Sequence, residues 1–401
     1  MPGNSKSCAA ASADRHIVQS GRPLRIALIT SSYNYIADGV ALTLNRLVAY
    51  LESQGVEVLV FAPTARLPAF AHQGTLVSVP SLPLAGRPEY RMALGLGGAA
   101  KRRLLDFAPD IIHLAVPDFL GQAALKLANT HGIPAVASYH TRYETYLKHY
   151  PHLAWLENRL TRMLRRFYGA CREVYVPSDS MREALLADGL RDNFKAWPRG
   201  IDTARFTPDK RSREWRARHG IGEDELVVLH VSRLVREKRL DTLTAALNGV
   251  AIAHRAVIVG DGPDRAAVER ALPHAIFTGS LHGEDLATAY ASSDIFIFPS
   301  DSESFGNVTL EAMASGLACV CADATGSRSL VVPGETGFLA PAGDAQAFAR
   351  SITILAQDGE LRRRMGEAAR RRSLNFSWEE TLARMLGYYR ALLAAVVKTA
   401  S

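Results

Sequence analysis

Three groups of residues in the second half of the chain have the types and spacing for chemistry. In His230-Val-Ser-Arg233-Leu-Val-Arg-Glu-Lys238, two cations leave the end of an apolar run with four residues between them. A helical pattern begins just beyond, near Leu240. Two cations ahead of a helix amino end suit a pyrophosphate. On these residues alone a solvated basic loop stays open. In Val259-Gly260-Asp-Gly262-Pro263 the glycines permit a tight turn and close backbone approach. The third glycine of a dinucleotide fingerprint is missing. The richest group is Phe298-Pro-Ser-Asp-Ser-Glu303-Ser-Phe305-Gly306-Asn307-Val308-Thr-Leu-Glu311. Gly306 and Asn307 open a helix whose first amides can bind anionic oxygen. Glu303 stands just before that helix and Glu311 within it, so one carboxylate can accept from sugar hydroxyls and the other from ribose hydroxyls. The plainer alternatives are helix-end charge for Glu303 and an exposed position for Glu311. The second sits poorly with its neighbours Leu310, Ala312 and Met313.

The elements around these groups explain why they share a location. The second half alternates short apolar runs with helical patterns: Leu226–Val231, Ala256–Val259, Ile276–Thr278, Ile295–Phe298 and Ala318–Cys321. The first half does the same, at Arg25–Thr30, Val56–Phe61, Ile111–Leu114, Ala135–Ser138 and Val174–Val176. A helical pattern from Val40 to Ser53 places Leu42, Leu47 and Leu51 on spaced positions, and Gly55 ends it. Such alternation reads as α/β, with doubly wound parallel sheets covered on both faces. The 401 residues predict two domains of this kind. The punctuated segment Trp197-Pro-Arg-Gly-Ile-Asp202 is the expected linker. The boundaries are then 22–198 and 199–376. Residues 1–21 form an expected disordered tail, and a helix over 377–401 packs back toward the first domain through Leu382, Met385, Leu386 and Tyr389. Ligands of open parallel sheets bind beyond the carboxyl ends of the strands, and all three groups follow strands.

Composition narrows the setting. The chain is 48% hydrophobic and 22% charged, with no apolar run long enough to span a membrane, and residues 1–21, polar and without an apolar core, do not read as a secretory leader. Cys8, Cys171, Cys319 and Cys321 lack zinc-site spacing and are expected as reduced thiols. Cys319 and Cys321 should share one face of a strand. The net charge is +7, and residues 1–199 hold 23 Lys/Arg against 15 Asp/Glu, a surplus of eight, while the remainder holds 24 against 25. No nucleic-acid motif accompanies the basic half. The pattern Leu153–Cys171 puts Arg159, Arg162, Arg165 and Arg166 opposite an apolar face. It is either a solvated helix or a contact for anionic lipid.

Together these motifs resemble the retaining two-domain (GT-B) glycosyltransferases, a family that includes bacterial GDP-mannose-dependent alpha-mannosyltransferases and glycolipid synthases. The resemblance covers about residues 24–375. It rests on the two glutamates with seven residues between them, Glu303 and Glu311, on Arg233 with Lys238, on the Gly-Asp-Gly-Pro loop, and on Arg-Gly-Ile-Asp-Thr-Ala-Arg-Phe206 in the linker. In the first half, Asp38-Gly39-Val40 and Ser138-Tyr-His140-Thr141 also match.

The resemblance implies two Rossmann-like domains facing a cleft and an alpha-forming hexosyl transfer with retention. The donor would be a nucleotide diphosphate sugar, GDP-mannose before UDP-glucose or UDP-glucuronate, and the acceptor a lipid or glycan. It implies catalytic roles for His140, Glu303, Arg233 and Lys238. It implies donor contacts at Gly39, Val40, Gly260, Gly262, Phe305, Gly306, Asn307, Val308 and Glu311. No metal is expected, since a D-x-D pair is absent, and no cofactor beyond the donor. The partners are the nucleotide sugar, the acceptor and an anionic membrane surface, not nucleic acid. The expected location is cytoplasmic, at the inner membrane face if peripheral. A sugar-nucleotide 2-epimerase shares this fold but has no need of the Glu303/Glu311 arrangement. A non-catalytic sugar-nucleotide binder would be expected to lose His140 or Glu303. A dehydrogenase would need the full glycine fingerprint.

Overall fold

The computed structural model describes residues 22–84, 87–140 and 154–400. The tail expected over residues 1–21, with Cys8, and the positions Thr141 and Leu153 lie outside these. The chain divides into two compact units. One comprises the residues up to Pro177, Leu185–Trp197 and Glu379 onward; the other comprises Ser178–Ala184 and Pro198–Trp378.

The first unit contains β1 (Arg25–Ile29), β2 (Glu57–Ala62), β3 (Thr75–Ser78), β4 (Ser81–Leu84), β5 (Arg87–Ala93), β6 (Ile111–Leu114), β7 (Ala135–Ser138), β8 (Glu173–Val176) and β9 (Phe194–Ala196). Seven of these form a parallel sheet in the order β3-β2-β1-β6-β7-β8-β9, and β4 and β5 form a separate antiparallel hairpin. Strands β1 and β6 are buried throughout their apolar runs, as strands covered on both faces must be. The connecting helices are α1 (Gly39–Ser53), α2 (Gly97–Phe107), α3 (Phe119–Thr130) and α4 (Ala154–Ala170), while α5 (Asp179–Ala187) is divided, its residues up to Ala184 belonging to the second unit.

Two details of these helices bear on the sequence reading. Helix α1 buries Leu44, Leu47, Val48 and Leu51, while Leu42 points to solvent. The buried set follows the 0, 3, 4, 7 spacing of a helix stripe, and Leu42 lies off it. Helix α4 buries Leu164, Phe167 and Tyr168 and exposes Arg159, Arg162, Arg165 and Arg166.

The second unit contains β10 (Val227–Val231), β11 (Arg255–Val259), β12 (Ile276–Gly279), β13 (Ile295–Phe298), β14 (Ala318–Ala322) and β15 (Gly337–Ala340). They form one parallel sheet in the order β12-β11-β10-β13-β14-β15. Its helices are α6 (Arg213–Arg218), α7 (Leu240–Asn248), α8 (Arg265–Ala271), α9 (Gly283–Ala291), α10 (Asn307–Ala314), α11 (Thr325–Arg328), α12 (Ala345–Gln357) and α13 (Gly359–Ser373). Alternate residues of β14 serve two cores. Cys319 and Cys321 join Phe296 and Phe298 on one face, and Ala318, Val320 and Ala322 join Ile295 and Ile297 on the other. The two thiols therefore share a face, as their spacing predicts, and both are buried and free.

Helix α14 (Trp378–Ala400) follows, and from Glu379 it belongs to the first unit. Its Tyr389 is buried against β6, with the hydroxyl 2.6 Å from His113 Nδ1.

In each sheet the strand order reverses beside the first strand of the unit. These switch points are β1/β6 and β10/β13, and open parallel sheets bind their ligands at such points, outside the carboxyl ends. The sequence places its chemistry at the second of them.

Candidate active site

Beyond β10 the backbone runs through Arg233 into a 3-10 turn, Arg236–Lys238, and reaches α7 through Arg239. Arg239 takes a left-handed conformation, φ 54°, which costs free energy in a non-glycine residue. Two ion pairs fix this turn against the segment that follows β13. Lys238 Nζ contacts Glu303 Oε1 directly. Arg239 grips Asp301 Oδ2 with Nε at 3.0 Å and Nη2 at 2.6 Å, which raises the guanidinium pKa above its ordinary value. Ser300 Oγ lies 3.4 Å from Glu303 Oε1. The Lys238 ammonium also stands 5.9 Å from the centre of the Phe298 ring. Lys238 and Glu303 are mostly buried, so their attraction is screened less than that of a surface pair. Arg233 is different: its side chain is more than half exposed and leans on Glu237 at 3.7 Å.

The glycine loop after β11 holds this turn in place. A Cβ at Gly260 would come within 1.8 Å of the Ser232 carbonyl oxygen, and one at Gly262 within 2.3 Å of that of Leu234. Ser232 N donates to Val259 O, and Leu234 N to Asp261 O. The close backbone approach that the sequence announces is thus an approach to the chain itself, along the strand of backbone that carries Arg233. Beside it His230 is fully buried, with Nδ1 3.1 Å from Ile297 O and Nε2 2.7 Å from Ser232 Oγ. Burial pushes its pKa down to about 4, so the ring is neutral and ties β10 to β13.

Gly306, at φ 91°, caps α10, and Asn307 is its first residue. Helix geometry leaves the first amides without helical acceptors, and they form a ready anion site. Phe305 contributes differently from the sequence expectation: its side chain is in the core, edge-on to Phe376, so only its backbone is available to a ligand. Val308 packs partly into the same core. Glu311 is half-buried, and its Oε2 accepts from the Tyr290 hydroxyl of α9 at 3.0 Å. Dry surroundings raise this carboxyl to about pKa 7, and the Tyr290 hydrogen bond pulls the other way. The structure therefore pairs Glu303 with Lys238 and Glu311 with Tyr290. Sequence reasoning missed Tyr290, Arg239 and Asp301. Tyr290 reads as one more core aromatic, and an Arg–Asp pair 62 residues apart leaves no local signal.

In the first unit Gly39 and Val40 open α1. Asp38 caps that helix, accepting from Ala41 N at 2.8 Å with one oxygen and from Ser32 Oγ at 2.9 Å with the other. His140 follows β7, is buried, and packs its ring 5.7 Å from that of Trp197. Behind it Ser138 Oγ lies 2.5 Å from His113 Nε2, and burial lowers the His113 pKa to about 3.

The family model described as Glycosyl transferases group 1 matches residues 211–372, and that described as Glycosyltransferase Family 4 matches residues 37–205. The chain is 34% identical over 391 residues to a GDP-mannose-dependent alpha-mannosyltransferase of Mycobacterium tuberculosis, covering 92% of this chain and 97% of the relative. It is 33% identical to the sulfoquinovosyl transferase SQD2 of Arabidopsis thaliana, over 89% of this chain and 71% of that one. Among solved structures, a sucrose-phosphate synthase from Thermosynechococcus elongatus superposes with a TM-score of 0.74 at 23% identity, covering 93% of this chain and all of the other. Anabaena HepE in complex with UDP superposes with a TM-score of 0.70 at 19% identity, covering 90% of this chain and 98% of the other.

Proposed function

The chain belongs to the group 1 and family 4 glycosyltransferases, with the GT-B architecture of two parallel-sheet α/β units, and from that premise we propose a retaining, metal-independent hexosyl transfer from a nucleotide diphosphate sugar to a lipid or glycan. GDP-mannose is the favoured donor, since relatives matched over almost their whole length carry that name. UDP-glucose and UDP-glucuronate are the alternatives; relatives named for sulfoquinovosyl and monoglucosyldiacylglycerol products keep glucose-type donors and lipid acceptors open.

The observation that carries the reading is the direct contact of Lys238 with Glu303 at the β10/β13 switch point, beside the amino end of α10. As the glycosidic bond breaks, negative charge grows on the leaving phosphate and positive charge on the sugar. Lys238, Arg233 and the amides at Gly306, Asn307 and Val308 would stabilise the phosphate. Glu303 would accept from sugar hydroxyls and Glu311 from the ribose, with Gly260 and Gly262 holding the turn that presents Arg233. The reading also gives His140 the donor sugar and the amides of Gly39 and Val40 a phosphate. Asp301 and Glu303 each face a cation of the chain, which supports charge stabilisation by side chains rather than by a metal. Retention follows if the acceptor attacks from the face that the phosphate leaves, with the phosphate taking the acceptor's proton.

The test is nucleotide release from GDP-mannose, UDP-glucose and UDP-glucuronate by the purified chain, with and without lipid acceptor and EDTA. The expected result is release from one donor that survives the chelator. Loss in EDTA with recovery on adding Mg²⁺ or Mn²⁺ would contradict the metal-free reading.

A further inference from the structure

Two neighbouring tyrosines of α14 hold the two segments of the first unit that meet at His140. The Tyr389 hydroxyl stands 2.6 Å from His113 Nδ1, and His113 Nε2 stands 2.5 Å from Ser138 Oγ, at the end of β7. The Tyr388 hydroxyl donates to Ala196 O at 2.9 Å, at the end of β9. Ser138 lies two residues before His140. Ala196 directly precedes Trp197, whose ring packs 5.7 Å from that of His140 and 6.2 Å from that of His113. One tyrosine therefore holds the backbone that leads to His140, and the other holds the backbone of its ring neighbour.

The protons of this chain have one direction. Burial raises the pKa of the Tyr389 hydroxyl and lowers that of His113 to about 3, so both are neutral. Among the described residues that hydroxyl has no other hydrogen-bond partner, and a buried O–H needs an acceptor, so Tyr389 donates to Nδ1. The imidazole proton is then on Nε2 and is donated to Ser138 Oγ.

The rings are set as well. Tyr175 stacks on Tyr388 at 5.5 Å and lies edge-on to His113 at 5.8 Å. Its carbonyl accepts from Tyr139 N at 2.9 Å, which fixes the residue between Ser138 and His140. Trp197 is buried, and its indole N–H has no acceptor among the described residues, so the rings beside it set its plane. Apolar side chains alone could fill such a core. A chain of satisfied polar groups instead specifies one arrangement of it.

We propose that Tyr388 and Tyr389 are positioning residues for His140 in the transfer step, Tyr389 acting through His113 and Ser138 and Tyr388 through Ala196 and Trp197. This role rests on the reading of His140 as a contact of the donor sugar. Reacting groups tolerate little displacement, and a shift of about 1 Å can cost about 10²-fold in rate.

The test is kcat and KM for the preferred nucleotide sugar in the parent, Tyr389→Phe, Tyr388→Phe, His140→Ala and each tyrosine change combined with His140→Ala. Circular dichroism at the assay temperature shows which variants are folded. Phenylalanine keeps the ring packing, so each single tyrosine variant reports its hydrogen bond. The expected result is a kcat about tenfold lower in each, with KM for the donor changed less than about twofold. In the His140→Ala background neither tyrosine change lowers kcat further, since groups that act as a unit are not additive. Ser138→Ala shows the same pattern and carries the test if Tyr389→Phe does not fold. Parental kcat in either folded tyrosine variant, or a full further loss on top of His140→Ala, makes the network a stability element and overturns the proposal. Parental kcat in His140→Ala defeats the reading of His140 itself, and that single variant tells the two failures apart.

Discussion

Glu311 has its carboxyl 3.0 Å from the Tyr290 hydroxyl in surroundings dry enough to raise its pKa to about 7. An ordinary glutamate in the unfolded chain ionises near 4.5. The folded value is higher, so the native state penalises the charged form. That penalty is absent below about 4.5, grows as pH rises, and is complete above about 7. Glu311→Gln should therefore raise the melting temperature relative to the parent at pH 8 and not at pH 4, as scanning calorimetry can read. If the ionised carboxylate accepts from a ribose, the KM for the donor falls as pH rises through about 7. Tyr290→Phe removes the group that favours ionisation, so the inflection in the KM profile moves to higher pH. A hydrogen bond to a charged group is worth about 1.5–3 kcal/mol, so KM at pH 7 should rise by about tenfold or more with kcat little changed. An unshifted profile with a uniformly lower kcat would make Tyr290 a packing residue only.

The glycine loop after β11 works at the scale of elements, because it sets the distance between two turns. Gly260→Ala places a Cβ 1.8 Å from a backbone oxygen, where only backbone movement relieves the clash, and Gly260 also has φ 131°. The cost is about 2 kcal/mol or more, with Arg233 displaced. Both stability to urea and donor turnover should fall. Gly387→Ala in α14 meets nothing within 4 Å and should hold or raise stability by up to about 1 kcal/mol. Equal behaviour of the two variants would contradict this account of the loop. Elements of this kind divide by how legible they are in sequence. The buried runs of β1, β6, β10, β13 and β14 stand out because strands covered on both faces are apolar throughout. The spacing of Glu303 and Glu311 about the start of α10 was equally plain, and so was the pairing of faces at Cys319 and Cys321. Strands β3 to β5 were not legible: β3 and β4 are four residues each and not buried, and β4 and β5 carry Pro83 and Pro88, so they lack a core period. The partner of each site carboxylate was hidden too, since Lys238 reaches Glu303 from the turn after the neighbouring strand and Tyr290 reaches Glu311 from the adjacent helix, 65 and 21 residues away along the chain.

Across the whole molecule, the last helix completes the first unit although the second unit precedes it in sequence. The tie is chemical as well as apolar, through the chain Tyr389 hydroxyl, His113 and Ser138 hydroxyl, at 2.6 and 2.5 Å. His113 is neutral in this setting, and Ser138 lies two residues before His140. Tyr389→Phe leaves a buried ring nitrogen without its partner and should cost about 1–3 kcal/mol. Calorimetry should show the loss in the transition of the first unit, with nucleotide affinity of the second unit unchanged. A fall confined to the second transition would contradict the assignment of α14.

The central claim is that the turn after β10 and the segment after β13 form the donor site, with Lys238 on the leaving phosphate and Glu303 on the sugar. The most direct measurement is kcat/KM for the preferred nucleotide sugar in the parent and in Lys238→Ala and Glu303→Ala, each shown to be folded by circular dichroism. The predicted result is a loss of about 10²-fold or more in each variant, the scale of removing one transition-state contact. Near-normal kcat/KM in either folded variant would contradict the claim.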